Sequence, residues 1–277
     1  MLEILAHRWL RIPYTLHAHS NQKPARPIAT VLFIHGIGNS GAAWENIVRE
    51  MPEDVHVITI DLLGFGNSPR PEWAIYDAKT QARSVIATLL RLRAHQPLIV
   101  VGHSLGALVA VELARRYPLL VRSLVLASPP FYRVEAKNNQ KLPSSDKMRR
   151  DIYRLVKKRP DQLIQITSLA IKLGLLSKTF SLTAENTPIY MNAFEASILN
   201  QTSLRDAEKL KQPIRILYGR LDPVVRARNL TYLARLNKNV VLIPVLASHE
   251  VMGIFAVKVA SEVNAVIAET VGKKHLS

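Results

Sequence analysis

The chain has 277 residues, 48% of them apolar and 21% charged, a composition typical of one large or two small globular domains and too apolar for a largely disordered chain. It contains no cysteine, which excludes disulfides, thiolate nucleophiles and cysteine-ligated metal sites. Lysine and arginine number 37 against 21 acidic residues, so the net charge is +16, a balance that favours anionic partners.

The start of the chain does not combine a basic stretch, an apolar run and a small-residue cleavage site, so we expect no secretory signal. Residues 97–114 are the most apolar stretch. They fall short of the ~20 apolar residues that a spanning helix needs, and they include His103, Ser104 and Glu112. We therefore expect no transmembrane segment and a cytoplasmic location.

Loose alternation over residues 3–19 predicts an opening hairpin, and the polar, proline-rich residues 21–27 predict a turn after it. Short apolar runs predict buried strands within six segments: 29–36, 55–66, 97–102, 121–128, 213–219 and 239–245. Apolar positions at helical spacing predict five helices: 42–51, 77–94, 105–117, 225–236 and 251–271. Strands that alternate with helices indicate an α/β fold whose mostly parallel sheet has helices on both faces.

The strand–helix alternation is interrupted once, between residues 131 and 206. This stretch contains no β-branched runs, only polar and helical sequence. We interpret residues 131–206 as a helical cap, or lid, inserted into a core formed by residues 1–130 and 207–277.

The sequence GHSLG at residues 102–106 matches the pattern G-x-S-x-G. An apolar strand precedes it and a helix follows it, which is the context of a sharp strand-to-helix turn that exposes a serine hydroxyl. The flanking glycines avoid collisions with neighbouring backbone. The helix N-terminus adds partial positive charge where an oxyanion would form. The pattern therefore predicts that Ser104 is a nucleophile.

A serine nucleophile needs a base, which in this turn context is a histidine oriented by a downstream carboxylate. Asp222 and His249 each follow a predicted strand, and the carboxyl ends of parallel strands meet at one edge of a sheet. We therefore predict a catalytic triad of Ser104, Asp222 and His249. The tail residue His275 also follows the acid. Three further carboxylates fit the role of the acid less well, because none ends a strand: Asp206, Glu208 and Glu250.

An oxyanion hole is the third requirement of this chemistry. One backbone N–H donor should belong to Leu105, directly after the nucleophile, and the other to the loop after the first buried strand. In that loop Ile37 is the predicted donor, and Gly38 keeps the backbone open. His35 and His103 are interpreted as buried structural residues and not as bases.

Five short motifs in this order resemble the α/β-hydrolase superfamily: HGIG (35–38), DLLGFGNS (61–68), GHSLG (102–106), GRLDPVV (219–225) and ASHEV (247–251). The resemblance covers residues 29–130 and 210–271. It implies an eight-stranded, mostly parallel sheet with the helical cap after strand six. It also implies chemistry that uses no metal and no organic cofactor.

The resemblance leaves several activities open. Serine at the sharp turn argues against relatives with aspartate there, the haloalkane dehalogenases and epoxide hydrolases. The favoured hypothesis is a serine hydrolase that acts on a small-molecule substrate. It cleaves a carboxylic ester or thioester through an acyl-enzyme on Ser104. A carbon–carbon bond hydrolase of the ring-cleavage type is the alternative, although Glu250 stands where such enzymes typically have an aromatic residue. A non-catalytic binding protein of this fold is the remaining alternative.

The predicted cap carries a concentration of positive charge. Residues 131–160 contain ten lysines and arginines against three acidic residues, a net charge of +7. One interpretation is that the charged residues form a solvated face. Another is that they attract an anionic substrate or an acidic carrier protein. A resemblance to carrier-protein methyl esterases suggests the carrier protein. Contact with a membrane surface is a third. Nucleic acid is not expected, because no recognition motif accompanies the charge.

Overall fold

The predicted buried strands assemble into one sheet in the computed structural model, which describes residues 3–94, 97–132, 154 and 157–274. Within these residues the strands are β1 Ala18–Gln22, β2 Ala29–Ile34, β3 Val55–Ile60, β4 Leu98–His103, β5 Val121–Ala127, β6 Ile214–Gly219 and β7 Val240–Val245. Their order across the sheet is β1-β3-β2-β4-β5-β6-β7. β1 is antiparallel to β3 and all other neighbours are parallel, which confirms the predicted mostly parallel sheet.

Helices connect the strands. The α-helices are α1 Glu45–Val48, α2 Ala78–Arg91, α3 Leu105–Arg116, α4 Pro160–Lys172, α5 Thr187–Ala193, α6 Ser203–Ala207, α7 Ala227–Leu236 and α8 Ile254–Lys274. A 3₁₀ helix, Gly41–Trp44, leads into α1, and two short π-helices occupy Ile4–Trp9 and Phe194–Leu199. Within the described part of the chain, no helix has both the length and the apolarity needed to span a bilayer.

The central strands are buried on both faces because each face packs against helices. In β2, Leu32 and Ile34 enter a core shared with α2, α3, α6 and α7, while Val31 and Phe33 enter a second core shared with α1 and α8. The side chains of all four strand residues are fully buried. This arrangement explains why the strands appear in the sequence as continuous apolar runs.

The opening hairpin predicted at the start of the chain is wrong. A π-helix forms at Ile4–Trp9, and only β1 joins the sheet in this region. Side chains accept two backbone N–H groups just before β1: Thr88 Oγ1 accepts the N–H of Leu16 at 2.8 Å, and Ser68 Oγ accepts the N–H of His17 at 2.9 Å. The described residues therefore form seven strands, against the eight that the family resemblance implies.

The described residues between β5 and β6 form helices α4, α5 and α6 and the second π-helix, without a strand. Most of the basic segment 131–160, namely residues 133–153, 155 and 156, lies outside the described residues. The proposed attraction of this segment for an anionic substrate or an acidic carrier protein therefore stays a prediction from charge.

Candidate active site

Ser104 lies in the tight turn between β4 and α3, with φ 51° and ψ −114°, a backbone conformation that residues with a Cβ rarely adopt. Gly102 and Gly106 make this turn possible. A Cβ on Gly102 would lie 2.5 Å from the carbonyl oxygen of Gly106, and a Cβ on Gly106 would lie 2.2 Å from the carbonyl oxygen of Ile34. Neither position has room for a side chain, so α3 can approach the sheet only with glycine at both.

The two predicted partners of Ser104 come from the next loops along the sheet edge. Asp222 follows β6 and His249 follows β7. The Nδ1 atom of His249 lies 2.8 Å from Asp222 Oδ2, and its Nε2 atom lies 3.0 Å from Ser104 Oγ. Three residues distant in sequence thus form one continuous chain of hydrogen bonds at the carboxyl ends of the strands.

The carboxylate of Asp222 is held in its charged form although its side chain is fully buried. Burial alone would raise its pKa, but the hydrogen bond from His249 and the backbone N–H groups of Val225 and Val224 lower the pKa below its ordinary value. Both N–H groups donate to Oδ1, at 2.7 Å from Val224 and 3.1 Å from Val225. This leaves Oδ2 to accept the Nδ1–H of His249, which orients Nε2 toward Ser104.

The backbone of His249 is anchored by two donors from neighbouring strand ends. The carbonyl oxygen of His249 accepts hydrogen bonds from His103 Nε2 at 3.0 Å and from Ser128 Oγ at 2.9 Å. Burial and the nearby His249 lower the pKa of His103 to about 3, which keeps this ring neutral, with its proton on Nε2. His103 is therefore a structural residue, as predicted. The contact of Ser128 with His249 could not be predicted, because nothing in the local sequence of Ser128 points to it.

The loop after β2 passes directly beside the nucleophile. A Cβ on Gly36 would lie 3.2 Å from the Cβ of Ser104. Within the described residues, no protein group accepts the backbone N–H of Ile37 or of Leu105, the two donors predicted for an oxyanion hole. His35 anchors this loop: its Nδ1–H donates to the Gly36 carbonyl at 2.7 Å, and its Nε2 accepts the Leu62 N–H at 2.8 Å.

The competing carboxylates do not take the place of Asp222. Asp206 lies in α6, where it accepts a hydrogen bond from Thr202 Oγ1 at 2.6 Å. Glu250 follows His249, but its carboxyl group is half-buried near Ser177, and burial raises its pKa. His275 lies outside the described residues.

The buried histidines make the stability of the fold sensitive to acid. Burial lowers the pKa of His103 to about 3, that of His35 to about 4, and that of His56 in the same direction. An unfolded histidine titrates near pH ~6.5, so below that pH the unfolded chain binds protons that the folded chain does not. We expect the thermal unfolding midpoint, followed by circular dichroism, to fall as the pH is lowered from about 7 to about 5.

Repeating this titration at high salt is the control, because salt screens the mutual repulsion of a chain with net charge +16 but not proton binding to buried rings. Burial raises the pKa of Glu250, which makes the fold more stable as the pH falls, but this is one group against three histidines. A midpoint that stays constant or rises toward pH 5 would contradict this assignment of the histidines.

The family model of the alpha/beta hydrolase fold matches residues 29–252, a range that contains all the site residues described above. The chain therefore belongs to the α/β-hydrolase family.

Two curated relatives share part of this sequence. A probable lysophospholipase of Arabidopsis thaliana, BODYGUARD 4, is 33% identical over 120 residues, which are 43% of this chain and 28% of that protein. Lipase LipV of Mycobacterium tuberculosis is 41% identical over 107 residues, which are 38% of this chain and 39% of that protein. The matched segments thus span less than half of either relative.

Solved structures match over nearly the whole chain at lower identity. An esterase from Thermogutta terrifontis superposes with a TM-score of 0.71 at 17% identity, covering 92% of this chain and 93% of that one. An E-2-(acetamidomethylene)succinate hydrolase superposes with a TM-score of 0.63 at 22% identity, covering 91% of this chain and 99% of that one. Likeness at these identities shows the shared fold.

Proposed function

We propose that the protein is a serine hydrolase that cleaves a carboxylic ester or thioester through an acyl-enzyme on Ser104. The observation that carries the proposal is the continuous hydrogen-bonded chain from Asp222 through His249 to Ser104. A hydroxyl held at 3.0 Å from an imidazole nitrogen can lose its proton to that nitrogen as it attacks a carbonyl carbon. The similarity to proteins named as a lipase and a probable lysophospholipase supports the same class of reaction.

In the first half of the reaction, Ser104 Oγ attacks the carbonyl carbon while its proton passes to His249 Nε2. The carbonyl oxygen gains a negative charge, which the N–H groups of Ile37 and Leu105 stabilise. Asp222 keeps the proton of His249 on Nδ1 and stabilises the imidazolium. The tetrahedral intermediate collapses, the bond to the leaving group breaks, and His249 returns the proton to the departing alcohol or thiol.

In the second half, His249 takes a proton from water, and the resulting hydroxide attacks the acyl carbon. The bond to Ser104 Oγ then breaks, His249 returns the proton to Ser104, and the carboxylic acid is released.

We further propose that residues 131–206 form a cap over this site. Glu250, directly after His249, supports cleavage of an ester or thioester over cleavage of a carbon–carbon bond. The family resemblance associates carbon–carbon hydrolases with an aromatic residue at this position.

A fluorophosphonate probe tests the function directly, because the probe phosphonylates a serine only where a base and an oxyanion hole activate it. We expect one covalent adduct in the wild-type protein, located by peptide mass spectrometry on Ser104, and none in Ser104→Ala. A folded wild-type protein without the adduct would favour the non-catalytic binding protein.

A further inference from the structure

A short segment between α4 and α5, residues 177–181, lies on the loop that carries Ile37. The backbone N–H of Ser181 donates to the carbonyl oxygen of Gly38 at 2.7 Å. The hydroxyl of Thr179 donates to Asn39 Oδ1 and lies 2.6 Å from Ser177 Oγ. Two hydrogen bonds therefore tie this segment to the two residues that follow the proposed oxyanion donor.

An aromatic contact strengthens this connection. Gly38 has φ +74°, and a Cβ placed on it would lie 2.5 Å from the ring of Phe180. That ring is buried and meets the ring of Tyr190 edge-on, with 6.2 Å between their centroids. The Phe180 ring thus packs directly against Gly38 and leaves no room for a side chain there.

Asn39 joins the segment to the turn that presents the Ile37 N–H. The side chain of Asn39 is 5% exposed, and its Oδ1 accepts both the Thr179 hydroxyl and the N–H of Ser40, the latter at 3.0 Å. Its backbone N–H donates to the Gly36 carbonyl at 3.3 Å. This last bond closes a turn around Ile37 and leaves the Ile37 N–H unused.

The other end of the segment lies beside the loop of His249. Ser177 and Glu250, the residue directly after His249, line one small cavity, and the backbone N–H of Ser177 acts to lower the pKa of the Glu250 carboxyl group. The segment therefore reaches from the loop of the proposed base to the loop of the proposed oxyanion donor.

We infer that Thr179 and Asn39 are positioning residues that hold the Ile37 N–H where the oxyanion develops. The inference rests on the proposed function. Neither side chain acts on the substrate: the Thr179 hydroxyl fixes Asn39, and Asn39 fixes the turn. An oxyanion donor contributes roughly 10²–10³-fold to kcat, and a shift of about 1 Å at a reacting group can cost about 10²-fold.

Thr179→Val tests the inference, because valine keeps the shape of threonine and removes the hydroxyl. We expect kcat for p-nitrophenyl butyrate to fall about 10- to 100-fold, with KM changed less than about threefold, since the lost contact acts on the transition state. Thr179→Ser restores the hydroxyl and should recover most of kcat. Thr167→Val is the matched control, because among the described residues its hydroxyl bonds to two backbone carbonyls within α4 and to nothing in the site.

A pair of inhibitors separates positioning from general damage. A trifluoromethyl ketone forms an oxyanion on Ser104, whereas the corresponding trifluoromethyl carbinol has no carbonyl to attack. In Thr179→Val we expect the ketone to lose affinity in proportion to kcat/KM and the carbinol to keep its affinity. Equal losses for both inhibitors, or a kcat within about twofold of wild type, would overturn the inference.

Thr179→Ala provides a second variant without the hydroxyl should valine prevent folding, and thermal unfolding of each variant verifies the fold. The outcomes also separate this inference from the function on which it rests. A wild-type protein with no fluorophosphonate adduct and no esterase activity refutes the proposed function. An active wild-type protein whose Thr179 variants are equally active refutes only the positioning role.

Discussion

Ser104→Ala is expected to lower the kcat of ester hydrolysis by roughly 10⁶-fold. The substitution removes the only atom that can form the acyl-enzyme, while the unused N–H groups of Ile37 and Leu105 remain and leave a residual rate. The fold should survive, because within the described residues the Ser104 hydroxyl bonds to His249 alone, and the His249 loop is held separately by His103 and Ser128. The measurement is kcat for p-nitrophenyl butyrate, together with the thermal unfolding midpoint.

Ser168→Ala is the matched control, an exposed serine of α4 that undergoes the same chemical change. It should retain wild-type kcat, which excludes a general effect of serine replacement. A Ser104→Ala protein whose kcat lies within about tenfold of wild type would contradict the assignment of the nucleophile.

Asp222→Asn should lower kcat by about 10⁴-fold with little effect on folding. The two carboxylate oxygens of Asp222 have separate duties: Oδ1 accepts the N–H groups of Val224 and Val225, and Oδ2 accepts the Nδ1–H of His249. An asparagine can keep the first set with its carbonyl oxygen, which places its amide N–H₂ against His249. That donor favours the histidine tautomer with the proton on Nε2, which cannot accept the proton of Ser104.

Steady-state kinetics of Asp206→Asn supplies the comparison, because that carboxylate bonds to Thr202 and lies 4.0 Å from Arg115, not beside His249. We expect its kcat to stay near that of wild type. If Asp222→Asn is nearly fully active while Asp206→Asn or Glu250→Gln is strongly impaired, the acid of the triad has been assigned to the wrong residue.

The parts of the fold and site that could be predicted are those that depend on short stretches of sequence. Continuous apolar runs identify β2 to β7. The runs are clearest in the central strands β2 to β5, whose side chains are almost all buried between helices and are therefore mostly apolar. The glycines beside Ser104 are required by local backbone contacts, so they appear at fixed spacing. Asp222 and His249 could be placed with Ser104 because the ends of parallel strands share one edge of the sheet.

The features that could not be predicted depend on pairs of residues far apart in sequence. Loose alternation before β1 resembles a hairpin, but the backbone N–H groups of Leu16 and His17 bond to the side chains of Thr88 and Ser68, which are far away in sequence. Ser128 and Thr179 are ordinary hydroxyl residues in their own surroundings. Only the folded chain brings them to His249 and Asn39.

Residues 177–181 limit which segments of this chain can be replaced by the corresponding segments of its relatives. A chimera that replaces everything between β5 and β6, in order to import a different acyl specificity, also removes Thr179 and Phe180, the neighbours of Asn39 and Gly38. Crossover points that retain residues 177–181, or that bring the matching loop after β2 from the same donor, preserve these contacts. Recombination libraries built on this rule should contain a larger fraction of active members than libraries cut at the ends of the strands.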